Sequence, residues 1–172
     1  MRVSDAGWTR RTSFQIEGGP RFFGSLGMSQ AADLQDARHL LLVRPGALVK
    51  TGDVIRTPDG GHFLVADHAH GYQGGVLYRQ YKLFAMTDHV LWQRSIPVSD
   101  PVTGLSRGNA YASLGYIWVS YEPLPDLVDM LQVPVDQATV ITGSNLVEGD
   151  RVGGLIVRDT ARRLGIMVAI VR

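Results

Sequence analysis

The chain has 172 residues, a formal net charge of +1, 45% hydrophobic and 19% charged residues, and no cysteine. This composition is that of an ordinary globular protein with a sizeable core, so it excludes wholesale disorder. The lack of cysteine excludes disulfides, thiolate zinc sites and thiol nucleophiles. The near-neutral charge gives no general attraction to nucleic acid or to an anionic membrane.

Targeting signals are not recognisable in this sequence. The residues that follow Met1 contain no apolar stretch of the kind found in a secretory signal. The longest uninterrupted apolar run, Ile166–Val171, is far shorter than the roughly 18 residues that a membrane span needs. We therefore expect no membrane partner.

Arginine supplies almost all of the positive charge. The only lysines are Lys50 and Lys82, against 15 arginines. Because the planar guanidinium makes bidentate contacts, an arginine excess suits protein interfaces. Biased codon usage is the preferred explanation of the excess, and an interface role is the alternative.

Strand signals dominate the chain from end to end. Apolar, β-branched and aromatic residues bounded by Gly, Pro, Asn and Asp predict strands. In chain order these are Phe14–Ile16, Arg21–Phe23, His39–Val43, Asp53–Arg56, His62–His70, Val76–Ala85, His89–Val98, Tyr116–Tyr121, Thr139–Thr142, Val152–Asp159 and Gly165–Val171. Ser29 can cap a short helix across Gln30–Arg38, and Asp126–Gln132 predicts a helical turn. Pro97 should confine its strand to a sheet edge or end the strand.

These elements predict a mainly β fold, a small β-barrel or sandwich with one or two short helices and a C-terminal β-hairpin. We expect a single β-rich domain over residues 1–172. Sub-modules at 1–132 and 133–172 are the alternative.

A short segment occurs twice in the chain. Leu48–Val54 and Leu146–Val152 share a Gly-Asp pair, and each precedes a Val-rich strand. Such a turn is a common way to open a barrel or meander. Independent use of one turn is therefore the preferred explanation, and two related modules are the alternative.

Catalytic motifs are lacking. Gly24–Gly27 is not a nucleophile elbow, and no phosphate-binding P-loop occurs. Strand alternation would place His62, His68 and His70 on one face, where imidazoles can bind zinc, iron or manganese, as in the His-x-His pattern of cupins. No glutamate follows at the expected spacing. We expect no enzyme, cofactor or metal, with a small metal-binding β-barrel enzyme using these histidines and His89 as the alternative.

Three segments carry a family resemblance. Val49–Ile55, Gly61–Asp67 and Leu77–Leu83 resemble the head-closure (stopper) and head–tail connector proteins of tailed bacteriophages. In that family a Gly-Asp turn opens a strand, a second Val-containing strand follows, and a long strand carries an aromatic or basic residue. The family's members are small β-barrels that form rings under the portal.

The resemblance implies a structural virion protein of the phage neck, assembled in the host cytoplasm. A homo-oligomeric ring would join the DNA-filled head, at the portal or adaptor, to the tail. Its partners would be the portal or adaptor and tail proteins, with non-specific contact to packaged DNA. A capsid decoration protein or another tail structural protein is the alternative.

One segment is the candidate for contacts in such an assembly. Ser99–Leu114 is rich in Gly, Ser, Asn and Pro and predicts a long loop, a kind of segment that is usually functional or disordered. The candidate interface or channel residues are Asp100, Pro101, Gly104, Arg107, Gly108 and Asn109. Arg107, the loop's only cation, would bond a partner carboxylate or a DNA phosphate. The alternative is a solvated hairpin connection held by its own strands.

Overall fold

The computed structural model describes residues 12–28, 39–73, 76–121, 138–163 and 165–172. Every regular element in these ranges is a β-strand. The strands are β1 (Thr12–Ile16), β2 (Arg21–Met28), β3 (His39–Val43), β4 (Val54–Arg56), β5 (His62–Gln73), β6 (Val76–Ala85), β7 (Asp88–Ser99), β8 (Ser106–Val119), β9 (Ala138–Thr142), β10 (Arg151–Val152), β11 (Leu155–Arg163) and β12 (Ile166–Val171).

The predicted mainly β fold is confirmed, including the barrel and the C-terminal hairpin of β11 and β12. The one or two short helices are not seen in the described ranges. Both segments for which we predicted them, Gln30–Arg38 and Asp126–Gln132, lie outside those ranges.

The chain divides into two compact units. The first comprises Met1–Thr87 with Arg163–Ile166, and the second Asp88–Arg162 with Met167–Arg172. The division between the units falls after Thr87.

The first unit contains a closed barrel in the order β1-β2-β3-β6-β5-β4. Its interior is filled by the alternate side chains of these strands, because successive residues of a strand point to opposite faces. The buried side chains of the first unit's hydrophobic core are Phe14, Ile16, Phe22, Leu41, Val43, Val49, Ile55, Val65, Tyr81 and Leu83.

The second unit contains a six-stranded sheet in the order β8-β7-β10-β11-β12-β9. Its two end strands approach each other at a single bridge, where Ser120 and Ile141 exchange main-chain hydrogen bonds of 3.0 and 2.9 Å. Thr142 Oγ1 also donates to the carbonyl of Trp118 at 2.8 Å. The apolar cluster of the second unit consists of Ile117, Val119, Val140, Leu146, Val152, Val157, Met167, Ala169 and Val171.

The two units share one strand order. Starting the first barrel at β2 gives β2-β1-β4-β5-β6-β3, and the second sheet reads β8-β7-β10-β11-β12-β9. Each strand of the second sheet thus takes the place of the strand six elements earlier. The strands β3 and β9, each the third strand of its unit in chain order, also have the same burial pattern. In both, one half-buried residue is followed by four buried ones.

The repeated Gly-Asp segment occupies equivalent places in the two sheets. In the first, Gly52 N–H donates to Val65 O, and Asp53 Oδ2 accepts from Lys50 N–H at 2.9 Å. In the second, Gly149 N–H donates to Val157 O, and Asp150 Oδ2 accepts from Val147 N–H at 3.1 Å. Strand order and turn bonding agree, so the echo marks a structural repeat rather than two unrelated uses of one turn.

Both turns need glycine at the residue before the aspartate. Gly52 and Gly149 have φ angles of +93° and +85°, a region that side chains with a Cβ rarely adopt. Replacing either by alanine should lower the free energy of unfolding by roughly 1–2 kcal/mol. Gly27→Ala is the control, because Gly27 has no positive φ and a Cβ there would meet open space. Chemical denaturation of the three variants checks this, and equal stabilities would contradict it.

Candidate interaction arm

The most exposed element in the described part of the chain is the far half of the β7–β8 hairpin. Near its start β7 lies between β8 and β10, pairing with β10 through Trp92 and Gln93. Beyond Gln93, β8 is the only strand partner of β7 in the described part of the chain. Every residue of Ile96–Ala110 is exposed except Asp100, which is half-buried. We call Ile96–Ala110 the arm.

The arm is an insertion relative to the first unit. There, Ile16 pairs with Ile55 of β4, and the chain turns back at once through Glu17–Pro20. In the second unit Trp92 pairs with Val152, which is equivalent to Ile55, and β7 then continues to Ser99. Because the first barrel closes with a short turn at this place, the arm is not needed to form the strand order.

The tip of the arm is ordered by its own hydrogen bonds. Asp100 Oδ1 accepts from the main-chain N–H groups of Val102 and Thr103 at 2.8 and 3.1 Å. Asp100 N–H donates to Leu105 O, and Gly104 N–H to Asp100 O, both at 2.8 Å. Arg107 Nη2 donates to Asp100 Oδ2. The main-chain bonds from Val102 and Thr103 to the carboxylate lower the pKa of Asp100 most, and the bond from Arg107 adds to them, against an opposing effect of burial.

The structure thus places all six candidate residues, Asp100, Pro101, Gly104, Arg107, Gly108 and Asn109, at or beside this tip. The predicted extent of the loop was wrong, because β8 begins at Ser106 and pairs with β7 as far as Ser99↔Ser106. Arg107 is bonded within the tip. The connection is therefore a short turn on a long hairpin that is held by its own strands.

A buried carboxylate anchors the base of the arm. The side chain of Asp150 is fully buried. Arg94 binds it in a bidentate manner, Nε to Oδ1 at 3.1 Å and Nη2 to Oδ2 at 3.0 Å. Trp92 Nε1 donates to Oδ2 at 2.9 Å, and the Val147 N–H completes the set. Arg94 Nη2 also donates to Asn145 O at 3.1 Å. Two consecutive same-face residues of β7 are thereby tied to the turn before β10.

The environment of Asp150 favours its charged form. Burial by itself raises the pKa of this carboxyl, but the hydrogen bonds from Arg94, Trp92 and Val147 and the charge of Arg94 outweigh it. The pKa of Asp150 is consequently held below its ordinary value.

A second contact holds the opposite face of the hairpin. The guanidinium carbon of Arg151 on β10 lies 3.9 Å from the centre of the Tyr111 ring on β8. Tyr111 pairs with Ser95, one residue beyond Arg94. The Arg94–Asp150 and Arg151–Tyr111 contacts therefore both fix the hairpin immediately before the arm begins. A cation over an aromatic face contributes about 0.5–1 kcal/mol at such a site.

His62 and His70 do not lie on one face of β5 as strand alternation predicted. The register of β5 on β6 shifts between Ala66 and His68, so the alternation that would put His70 on the face of His62 is broken. His70 is exposed, and His62 Nε2 lies 3.8 Å from Glu17 Oε2. No three potential metal-binding side chains come together in the described ranges.

The sequence analysis missed Asp150, Arg94 and Trp92 as a group. The repeated Gly-Asp turn pointed to Asp150, but its partners are 56 and 58 residues away in the chain. Only the strand order shows that they meet.

Comparisons with known proteins add no relative. No family model matches the sequence, and no curated protein or solved structure is significantly similar to it. None of the elements in the described ranges is a helix that could cross a membrane.

We expect Asp150→Ala to lower the free energy of unfolding by about 3 kcal/mol, because it leaves the donors of Trp92 and Arg94 without their acceptor. Arg94 is 36% exposed and regains some water, which keeps the loss moderate. Asp53→Ala is the matched control in the equivalent turn. It removes one exposed hydrogen bond and should cost about 1 kcal/mol. Chemical denaturation followed by far-UV circular dichroism measures both, and equal losses would contradict the anchoring role.

The stabilising effect of Asp150 should depend on pH in a defined direction. Its folded-state pKa lies below the unfolded value, so the contribution is complete above the unfolded pKa of about 3.9. It is lost as the pH falls through the folded value. The difference in stability between the wild type and Asp150→Ala should therefore be constant near neutrality and shrink below about pH 4. A difference that stays constant to pH 2 would show that the charge is not responsible.

Proposed function

We propose that this protein is a structural component of the neck of a tailed bacteriophage, with several copies forming a ring between the head and the tail. The arm carries the proposal. It is an exposed, internally ordered insertion on a fold that closes without it, as the first unit shows. Shape and interfaces, not chemistry, would perform the function.

The surface of the arm favours a contact role over a merely solvated turn. It exposes the aliphatic residues Ile96, Val98, Val102 and Leu105. Soluble monomers rarely keep apolar side chains clustered on one projecting element, because covering them is favourable. Two anchors at its base, at Asp150 and at Tyr111, hold the arm in a defined direction. A preordered element loses little conformational entropy when it binds.

Protein neighbours are favoured over DNA as the target of the arm. Arg107 is the arm's only cation, and its charge is balanced by Asp100. Binding to phosphates needs clusters of unpaired positive charge, since each neutralised phosphate contributes through released counterions. In this proposal the arm therefore contacts protein, and any contact with packaged DNA comes from other surfaces.

The test is the copy number of the protein in purified phage particles. Quantitative mass spectrometry against a portal protein should give several copies per particle, as expected for a closed ring. A single copy, or absence from the particle, would overturn the proposal.

An arm-shortened variant makes the test specific. Replacing Ile96–Ala110 by Asn-Gly joins the paired residues Ser95 and Tyr111 through a two-residue hairpin turn. Arg94 and its bonds to Asp150 remain, and we expect the melting temperature to change little, because the first unit closes with a similarly short turn. Incorporation into particles should fall at least tenfold. Normal incorporation of this variant would contradict the role assigned to the arm.

A further inference from the structure

The first unit carries a polar cleft of about 440 Å³ on its surface. Its lining residues in the described part of the chain are Ser13, Phe14, Gln15, Arg21, Arg56, Thr57 and Pro58. Two arginines thus line one cleft, and none of these seven residues is acidic. We call it the Arg21–Arg56 cleft. We propose that it binds a phosphate group, carried either by a small phosphorylated molecule or by a nucleic-acid backbone. The inference does not depend on the proposed neck role.

The register of the barrel brings the two arginines onto one row. Gln15 on β1 is paired with Arg21 of β2 on one side and with Arg56 of β4 on the other. Residues directly opposite each other in a sheet share a face, and Phe14 and Ile16 on either side of Gln15 point into the barrel core. The row therefore lies on the outer face, and the main chains of its two arginines are two strand spacings, about 10 Å, apart. Arginine side chains from both ends of the row can reach one small ligand above Gln15.

Gln15 orients Arg21 before any ligand binds. Gln15 Nε2 donates to the carbonyl of Ile16 at 3.2 Å and to that of Gly19. The other end of the same amide, Oε1, accepts from Arg21 Nε at 3.1 Å. Among the described residues this bond engages one of the five guanidinium N–H groups of Arg21, so its two Nη atoms stay available. A guanidinium held in this way loses little conformational entropy when it forms further hydrogen bonds.

The positive charge of the row has no acidic partner in the described ranges. Neither Arg21 nor Arg56 forms an ion pair there, whereas the arginines at the base and tip of the arm are paired with aspartates. The carboxylate of Glu17 lies 3.8 Å from His62 Nε2. Asp59, in the turn after β4, takes its hydrogen bonds within that turn. Two positive charges without a neighbouring acid favour an anionic ligand.

The number of donors favours a phosphate over a carboxylate. A carboxylate is satisfied by a single guanidinium in a bidentate fork, as the Arg94–Asp150 pair shows. Here two guanidinium groups are available, and Ser13, on the same face two residues before Gln15, adds a hydroxyl. A phosphate monoester presents three acceptor oxygens and up to two negative charges. Successive phosphates of a nucleic-acid backbone offer the same oxygens to the same donors.

Isothermal titration calorimetry of the full chain at fixed ionic strength tests the site with inorganic phosphate as the probe. Replacing both arginines, Arg21→Gln with Arg56→Gln, should weaken phosphate binding by about tenfold or more, because two charge-assisted sets of hydrogen bonds are lost. The matched control is Arg158→Gln with Arg162→Gln, which removes the same charge from two exposed positions on β11. The control should bind phosphate as the wild type does. Acetate should bind the wild type more weakly than phosphate.

A short labelled DNA duplex distinguishes the two sources of the phosphate group. Fluorescence anisotropy measures its binding to the wild type and to both double variants. Weaker duplex binding by Arg21→Gln with Arg56→Gln than by the control identifies a nucleic-acid backbone as the ligand. Duplex binding that is equal in the two double variants, together with weakened phosphate binding by the first, identifies a small phosphorylated molecule.

The inference is overturned if Arg21→Gln with Arg56→Gln weakens neither phosphate binding nor duplex binding more than the control does. Acetate binding as tight as phosphate binding would also overturn it, because the cleft would then not select phosphate. Circular dichroism of both double variants confirms that the barrel is intact, which is expected because all four substituted side chains are exposed.

Discussion

The buried carboxylate of Asp150 is the constraint on which the second unit depends. A buried negative charge is tolerated only when hydrogen-bond donors or a positive charge compensate for the lost water. Here they come from two side chains of β7 and one main-chain amide of the preceding turn. This arrangement connects the place where β7 leaves the sheet with the place where β10 enters it. The direction of the arm is set by that connection, because the arm has no strand partner other than its own second half in the described residues.

The repeat shows how this constraint differs from an ordinary turn. Asp53 and Asp150 occupy the same turn position and accept the same main-chain bond, yet among the described residues only Asp150 also binds an arginine and a tryptophan. In the first unit the chain has already turned at Glu17, so no long strand has to be held. The additional side-chain donors, Trp92 and Arg94, therefore occur in the unit that also has the arm. Anchor and arm form one structural feature that distinguishes the second sheet from the first.

Sequence reasoning predicted the strands best where burial imposes a clear pattern on the residues. The bounds of β3 and β6 were predicted correctly, because an uninterrupted apolar run and a clear alternation are strong signals. The start of β8 was missed because both faces of the arm are exposed. Ser106-Arg107-Gly108-Asn109 therefore shows none of the alternation that burial imposes. The prediction that the histidines of β5 share one face was wrong because the register shifts after Ala66. No residue type in this segment indicates such a shift. The candidate arm residues were found by composition, but the pairing of Arg107 with Asp100 depends on a turn geometry that composition does not encode.

The position of Pro97 has a consequence for what the exposed edge of β7 can bind. Pro97 lies in the arm opposite Asn109, on the part of β7 beyond Gln93, whose other edge has no strand partner in the described residues. Proline has no N–H to donate, so a foreign strand cannot continue a hydrogen-bond ladder along this edge. Open ribbons of this kind otherwise template unlimited edge-to-edge stacking and fibres. With the ladder interrupted at Pro97, the exposed edge of the arm is protected from strand-by-strand stacking although it is long and carries apolar side chains.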